Sequence, residues 1–189
     1  MNFTDVVTEV LGITKRPDKL QDIRREVNSA VNQFCMDTEF DRDIVELNTA
    51  IVPTEYTQAL PLTTFTRFRK FSYIKRGGTR AFLNRLTRAD LLLTNCDYRD
   101  KYYIAGANLN VSLASLAATL DIAYFQAPPL LTDASGDFWL LELSPFMVID
   151  RVAAKIFTSI GDGDSATRHE RFAVSAYLSA QKDYGISTQ

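Results

Sequence analysis

The fold of this chain is decided by the stretch Asp137-Phe-Trp-Leu-Leu-Glu-Leu-Ser-Pro-Phe-Met-Val-Ile-Asp-Arg-Val-Ala-Ala-Lys-Ile-Phe-Thr-Ser-Ile-Gly161. It predicts a helix that begins after Ser144, because serine is a favoured N-cap, Pro145 suits the first helical position, and Gly161 suits the residue past the end. Apolar residues recur every three or four positions and predict one wide buried face: Phe146, Ile149, Val152, Ala153, Ile156, Phe157 and Ile160. A face of this kind, with no catalytic pattern, is typical of a packing scaffold.

A second helix is predicted over residues 165–180, with Asp164 or Ser165 as its N-cap. Its predicted buried face comprises His169, Phe172, Ala173, Ala176, Tyr177 and Ala180. Only the short turn Gly161-Asp-Gly-Asp164 separates the two helices, so they should pack antiparallel.

The N-terminal part is also predicted to be helical. Residues 4–11 indicate a short helix that ends at Gly12, and a longer amphipathic helix runs from near Pro17 to Met36. The longer helix has an apolar stripe formed by Leu20, Ile23, Val27, Ala30, Val31 and Phe34. The stripes of this helix and of the two C-terminal helices predict one shared bundle.

The middle of the chain has the pattern of short β-strands. Alternating or β-branched segments separated by Pro and Gly predict strands over 44–52, 56–60, 68–74, 101–105, 109–113 and 122–126. The predicted fold class is therefore α+β: a bundle from the N-terminal helix and two C-terminal helices, with a small, mostly antiparallel β domain inserted between them. A single domain, 1–189, is predicted, helical over 1–40, β-rich over 41–136, and helical with a tail over 137–189.

Composition indicates an ordinary globular protein of 189 residues, with 46% hydrophobic and 23% charged residues. No apolar run approaches the roughly 18 residues of a membrane span, and the N-terminus lacks a signal-peptide pattern, so we expect synthesis in a cytoplasm. Cys35 and Cys96 are isolated and are expected to be reduced thiols rather than a disulfide or a metal site.

Charge is segregated along the chain. Residues 1–55 and 90–189 each carry a net charge of −5, whereas residues 56–89 carry no acidic residue. The eight basic residues of this segment are Arg67, Arg69, Lys70, Lys75, Arg76, Arg80, Arg85 and Arg88. Three interpretations stay open: a surface for an acidic protein such as a neighbouring subunit, a surface for nucleic acid, or a solvated sheet face. In the last case the balancing acids would be Asp37, Glu39, Asp41, Asp43 and Glu46.

No pattern predicts an active site. His169 is the single histidine, and its place on a helical apolar face predicts packing. Nucleophile-elbow, Walker-type and dinucleotide-binding motifs are missing from the sequence. Asp41 and Asp43 are predicted to share a strand face, which is weak evidence for acid–base chemistry. Asp162-Gly-Asp164 lacks the later residues of a calcium loop.

The order of several short motifs resembles the head-to-tail adaptor (connector) proteins of tailed bacteriophages. The N-terminal motifs are Thr14-Lys-Arg-Pro-Asp18 and Val27-Asn-Ser-Ala-Val-Asn32. The central motifs are Tyr56-Thr-Gln-Ala-Leu-Pro61, Tyr102-Tyr-Ile-Ala-Gly106, Leu109-Asn-Val111 and Ile122-Ala-Tyr-Phe-Gln-Ala-Pro128. The C-terminal motifs are Phe138-Trp-Leu-Leu-Glu-Leu-Ser-Pro145, Ala153-Ala-Lys-Ile-Phe157 and Ile160-Gly-Asp162.

The resemblance implies a structural protein of the virion, with no enzymatic role and no cofactor. Such adaptors assemble as twelve-fold rings under the portal vertex, extend the DNA channel and present a platform for the tail. The implied partners are other copies of the chain, the portal protein, tail or neck proteins and, through proximity alone, the packaged double-stranded DNA that leaves during genome ejection. Assembly is expected in the cytoplasm of the bacterial host, at no membrane.

Interface residues are predicted from the charge pattern and from the resemblance. The subunit or partner interface is predicted to use Arg67, Arg69, Lys75, Arg76, Arg80, Arg85, Arg88, Asp37, Glu39, Asp41 and Asp43. Family members often contact the portal through the C-terminal helix and tail, which implies a role for Tyr177, Lys182, Tyr184, Ile186 and Gln189.

The alternative function is a single-stranded nucleic-acid-binding β module. It would use the basic segment 67–88 to follow phosphates and would stack bases on Phe65, Phe68, Phe71 and Tyr73. The overall charge of −2 argues against it, because dedicated nucleic-acid-binding domains are usually basic.

Overall fold

The computed structural model describes residues 1–51, 53–91, 99–116 and 119–185. The chain forms two compact units, a helical unit from residues 1–43 and 127–189 and a β unit from residues 44–126. This confirms the predicted α+β class, with helices at both ends and mostly antiparallel sheets between them. The single adaptor domain over 1–189 stays a prediction.

The chain contains six described α-helices and three short 3-10 turns. The helices are α1 (Phe3–Thr14), α2 (Leu20–Asp37), α3 (Arg88–Leu91), α4 (Trp139–Leu143), α5 (Pro145–Ser159) and α6 (Gly163–Tyr184). The 3-10 turns are Pro17–Lys19, Asp41–Asp43 and Leu62–Thr64. All these helices except α3 belong to the helical unit.

Helix α1 is longer than the sequence predicted at its C-terminus. Asn2 and Asp5 form a capping box, which fixes the start. Gly12 does not end the helix, which continues to the buried Thr14, whose hydroxyl donates to the Val10 carbonyl at 2.8 Å. The chain leaves the helix at Lys15, whose left-handed φ of 52° is the usual geometry of a helix end.

One hydrophobic core joins α2, α5 and α6, as the apolar stripes predicted, and α1 and α4 also contribute to it. Ile23 and Val27 of α2 are fully buried in it, together with Val152 and Ile156 of α5. Two members of the predicted faces are exposed instead, Phe146 at 62% and Phe172 at 53%. Each lies at the edge of its stripe, where the neighbouring helix does not cover the ring.

Helices α5 and α6 form a hairpin closed by Gly161, whose φ of 84° favours glycine. The N-cap of α6 is Asp162, so the prediction of Asp164 or Ser165 was wrong. The Asp162 carboxylate accepts the Ser165 backbone N–H at 3.0 Å. That hydrogen bond holds the pKa of the Asp162 carboxyl below its ordinary value of 3.8.

Because its folded pKa is lowered, the Asp162 carboxylate stabilises the fold above its unfolded pKa, and this contribution is lost as the pH falls through the folded pKa. We expect Asp162→Ala to lower the melting temperature at neutral pH, with a difference from the parent protein that shrinks in acid. Circular dichroism melts across this pH range measure the effect. Asp164→Ala is the matched control, and an Asp162→Ala difference that did not change with pH would contradict the cap.

The β unit contains seven described strands in two sheets. They are β1 (Ile44–Ile51), β2 (Thr57–Pro61), β3 (Phe68–Arg76), β4 (Asn84–Arg85), β5 (Lys101–Ala105), β6 (Asn108–Ser112) and β7 (Leu120–Gln126). The sheet orders are β1-β7-β3 and β2-β6-β5-β4. All pairs are antiparallel except the two-residue pairing of β4 with β5. The six predicted strands are confirmed, and β4 was missed.

The β unit has its own hydrophobic core. Ile74 of β3 lies opposite Ile122 of β7, and Leu109 of β6 is fully buried with them. Register shifts in β3, after Phe68 and after Phe71, interrupt strict alternation along that strand.

Candidate interaction surfaces

The first three basic residues of the segment lie against β7. The Arg67 guanidinium donates to the Gln126 side chain at 2.7 Å. The Arg69 guanidinium carbon and the Lys70 ammonium lie 5.7 and 5.1 Å from the Phe125 ring centroid. These cations therefore cover an aromatic ring of the same unit and are positioned by it.

Lys75 and Arg76, at the end of β3, are paired within the β unit. The Lys75 ammonium lies 3.6 Å from Asp121. The Arg76 guanidinium donates to the Ser115 hydroxyl at 2.7 Å and lies 3.7 Å from Asp100. Both cations therefore have acidic neighbours. The net charges of whole sequence segments could not reveal these pairs.

Arg80 and Arg85 are exposed, as is Arg67, which donates to Gln126. Within the described part of the chain, neither the Arg80 nor the Arg85 side chain makes a hydrogen bond or an ion pair. Burial raises the pKa of the nearby Tyr102 phenol, and the positive charge of Arg85 opposes that rise. The side chain of Arg88 lies outside the described atoms. Among the described side chains of the segment, Arg80 and Arg85 are thus the ones that are exposed and make no hydrogen bond or ion pair.

The predicted acidic cluster is divided between surface and interior. Asp37 is exposed at the end of α2, and Asp41 is exposed in the following 3-10 turn. Asp43 is buried and accepts the Trp139 indole N–H at 2.9 Å. The prediction that Asp41 and Asp43 share a strand face was therefore wrong, because β1 begins only at Ile44. Glu39 is half-buried.

The C-terminal candidates belong largely to the packing of the helical unit. The Tyr177 ring lies 5.3 Å from that of Phe34, and its hydroxyl is hydrogen-bonded to Thr38. The Tyr184 ring lies 6.5 Å from that of Trp139. Lys182 is exposed in the last turn of α6. Ile186 and Gln189 lie outside the described residues, as does Cys96.

His169 packs between α5 and α6, as its position predicted. Its Nδ1 lies 2.7 Å from an Asp150 carboxylate oxygen, and its ring stacks on Phe157 at 5.4 Å. Cys35 is buried in the core of the same unit. Among the described residues no group of histidine, cysteine and carboxylate side chains is arranged to hold a metal ion.

We expect His169→Gln to lower the free energy of unfolding by about 1–3 kcal/mol, because the partly buried Asp150 loses its ring partner. Denaturant unfolding followed by circular dichroism measures this loss, with the exposed Arg168→Gln as control. Assembly and any surface function should survive in the folded fraction. A well-folded, fully assembling His169→Gln that had lost a chemical turnover would contradict the structural role.

The aromatic side chains of the predicted nucleic-acid surface lie mainly in the β core. Phe65 is buried, and its ring lies 5.2 Å from Phe71, 5.9 Å from Phe68 and 5.4 Å from Tyr124. Tyr73 donates its hydroxyl to Glu46 at 3.0 Å. These rings contact one another rather than forming an open stacking platform, which disfavours the nucleic-acid alternative.

Two surface features were missed from the sequence. One is a groove of about 220 Å³ among α2, α5 and α6, lined by apolar side chains that include Phe34, Ala173 and Tyr177. The other is the turn after β3, where Phe82 is 58% exposed. The groove depends on contacts between residues far apart in sequence, and the turn depends on the exposure of a single ring. Neither feature produces a periodic pattern in the sequence.

The helical unit is built on one shared hydrophobic core, and the β unit has a core of its own. Residues 1–186 match the model of the SU10 adaptor protein family, and the chain belongs to that family. It is a structural adaptor protein of bacteriophage, as the resemblance of its motifs implied. No curated protein matched the chain. In the described residues, no helix has both the length and the apolar character needed to cross a bilayer.

Proposed function

We propose that copies of this chain form a ring, twelve-fold as in the resembling adaptors, that bridges the portal and the tail at the head–tail junction of the virion. The observation that carries this proposal is the match to the SU10 adaptor protein family over residues 1–186. The ring extends the DNA channel, so packaged DNA passes close to it during ejection without specific binding.

The surface charges support contacts between different faces of neighbouring copies. Arg80 and Arg85 of the β unit are exposed, as are Asp37 and Asp41 of the helical unit. Cations and acids on separate units favour a heterologous contact, in which one copy presents the cations and the next presents the acids. Repeated around a rotation axis, such a contact closes a ring.

The portal contact is proposed for the C-terminal end of the helical unit. Tyr177 and Tyr184 pack against their own unit, so they would act by positioning the last turns of α6. Lys182 is exposed there and is available to a partner. Ile186 and Gln189, which follow α6, complete the proposed contact.

Electron microscopy of the purified chain mixed with purified portal tests this function. We expect a ring of added density on one face of the portal, and the portal alone is the control. A chain that never joined the portal at any salt concentration would contradict the adaptor function. Tight binding of single-stranded DNA by the isolated chain, with a steep dependence on salt, would favour the nucleic-acid alternative instead.

A further inference from the structure

The groove of the helical unit has the size and chemistry to hold one aromatic side chain. Phe34, Ala173 and Tyr177 form its apolar floor, with Phe34 and Ala173 less than 10% exposed. Its volume is about 220 Å³. A dry cavity of about 150 Å³ holds a benzene ring, whereas small-molecule sites usually begin at about 300 Å³. A single ring from a protein is therefore a better fit than a cofactor.

The rim of the groove favours a positive charge beside that ring. Asp37 is exposed at the rim, and within the described residues it makes no hydrogen bond or ion pair. It is also the last residue of α2, whose final turn contains no basic side chain. The C-terminus of a helix carries partial negative charge, so a cation there would meet both the carboxylate and the helix end. The other charges of the groove, Arg151 and Glu170, already pair with each other.

The hairpin tip, defined here as residues 77–82, presents a matching pair of side chains. Phe82 is 58% exposed, and Arg80 is exposed without a partner among the described residues. After the turn at residues 77–79 the chain runs back beside β3, since the Arg76 N–H donates to the Ala81 carbonyl and the Leu83 N–H to the Ile74 carbonyl. Residues two apart on an extended chain lie on one side, roughly 6.8 Å apart.

The hairpin tip is held in shape before it meets any partner. Gly78 has a φ of 71°, and the Gly77 N–H donates to the Thr119 carbonyl at 2.8 Å. A Cβ at Gly77 would collide with the Thr119 side chain, so glycine is required there. The Phe82 ring is supported edge-on by Tyr73 at 5.8 Å. A preorganised tip loses little conformational entropy on docking.

We propose that the hairpin tip of one copy docks in the groove of the next copy, with the Phe82 ring on the apolar floor and Arg80 beside Asp37. The spacing agrees, because Phe34 and Asp37 are three residues apart on α2, which places their Cβ atoms about 5–6 Å apart. This inference rests on the proposed ring and names the contact that closes it. Two other exposed apolar side chains, Leu130 and Phe146, have no cation within two residues.

Charge exchange between two variants tests the contact in the complete chain. Arg80→Glu alone and Asp37→Arg alone should each lower the fraction of portals that carry a ring by about tenfold or more, since like charges would meet at every contact. In a one-to-one mixture of the two variants every contact between unlike copies is matched again. The introduced glutamate faces the introduced arginine at one contact, and the original Arg80 faces the original Asp37 at the next. The mixture should therefore recover assembly, counted by electron microscopy.

Phe82→Ala tests the apolar half of the contact, with Leu130→Ala as the control, since Leu130 is an exposed apolar residue of the helical unit. We expect ring yield to fall for Phe82→Ala and to stay at the parent level for Leu130→Ala. If the parent chain forms rings and either charge variant also assembles normally, this contact is overturned. It is overturned as well if the mixture assembles no better than either variant alone. Both results would leave the adaptor function intact. Failure of the parent chain to form rings on the portal would instead refute the function on which the contact rests.

Discussion

Replacement of Ile156 by alanine should lower the free energy of unfolding of the isolated chain by about 2–5 kcal/mol. Ile156 is 2% exposed and lies in the core shared by the helices of the helical unit. Truncation removes buried apolar surface and leaves a cavity that rigid helices fill only in part. Ile23→Ala in α2 should have an effect of the same size, since Ile23 is fully buried in the same core. Denaturant titration followed by circular dichroism measures both.

Leu178→Ala is the matched control for these truncations. Leu178 lies on α6 of the same unit but is 57% exposed, so its truncation should change stability by less than about 0.5 kcal/mol in the free chain. If Ile23→Ala or Ile156→Ala were as mild as Leu178→Ala, the stripe that contains it would not be buried in the free protein. The shared helical core would then be wrong.

Helix α5 could be predicted closely because its signals are local. Pro145 and Gly161 mark its ends, and its apolar period identifies most of its buried face. The period alone does not say how far the neighbouring helices extend over that face. Phe146 and Phe172 therefore looked like core residues and are exposed. The end of α1 was predicted wrongly at Gly12 for a related reason. One glycine destabilises a helix less than the burial of the residues after it stabilises it.

The strands were predictable where β-branched and aromatic residues cluster, and β4 was not. Asn84 and Arg85 have no strand preference and form β4 only because β5 lies beside them. Such a pairing depends on the fold of the unit rather than on the residues themselves. The two sheets and their strand orders likewise follow from long-range contacts.

The charge pattern identified a basic segment in the sequence, but it did not identify which of its cations pair with acidic side chains. Lys75 lies beside Asp121, 46 positions along the chain, and Arg76 lies beside Asp100. Antiparallel register brings Lys75 opposite Asp121, which only the strand order determines. Among the described side chains of the basic segment, the exposed cations without a hydrogen bond or ion pair are consequently Arg80 and Arg85.

The free chain should be largely monomeric in solution and should form a ring only on the portal. The proposed contacts between copies combine one aromatic ring with exposed charges, and exposed ion pairs contribute only about 0–1 kcal/mol each. The portal would raise the effective concentration of neighbours and so close the ring. Mass photometry of the free chain should show monomer. A stable dodecamer in high salt would refute this dependence on the portal.

Reversal of Arg80 and Arg85 to glutamate should leave the monomer folded and abolish ring assembly on the portal. Neither side chain makes a described hydrogen bond or ion pair, so the fold loses nothing. Each reversal changes an attraction to the next copy into a repulsion, and the remaining assembly should depend on ionic strength because salt screens exposed charges. A triple variant that also carried Arg76→Glu would lose the contacts of Arg76 with Asp100 and Ser115 inside the β unit. The variant with only Arg80 and Arg85 reversed therefore separates assembly from folding more cleanly.

Lys15→Glu with Arg168→Glu is the control for this double reversal, because it makes the same change in net charge at exposed positions of the helical unit. The control should assemble on the portal as the parent does, since neither residue belongs to the basic segment. If both double variants lost assembly equally, net charge rather than the position of the cations would govern the ring. If the Arg80 and Arg85 reversal assembled normally at low salt, the exposed cations of the β unit would have no part in joining neighbouring copies.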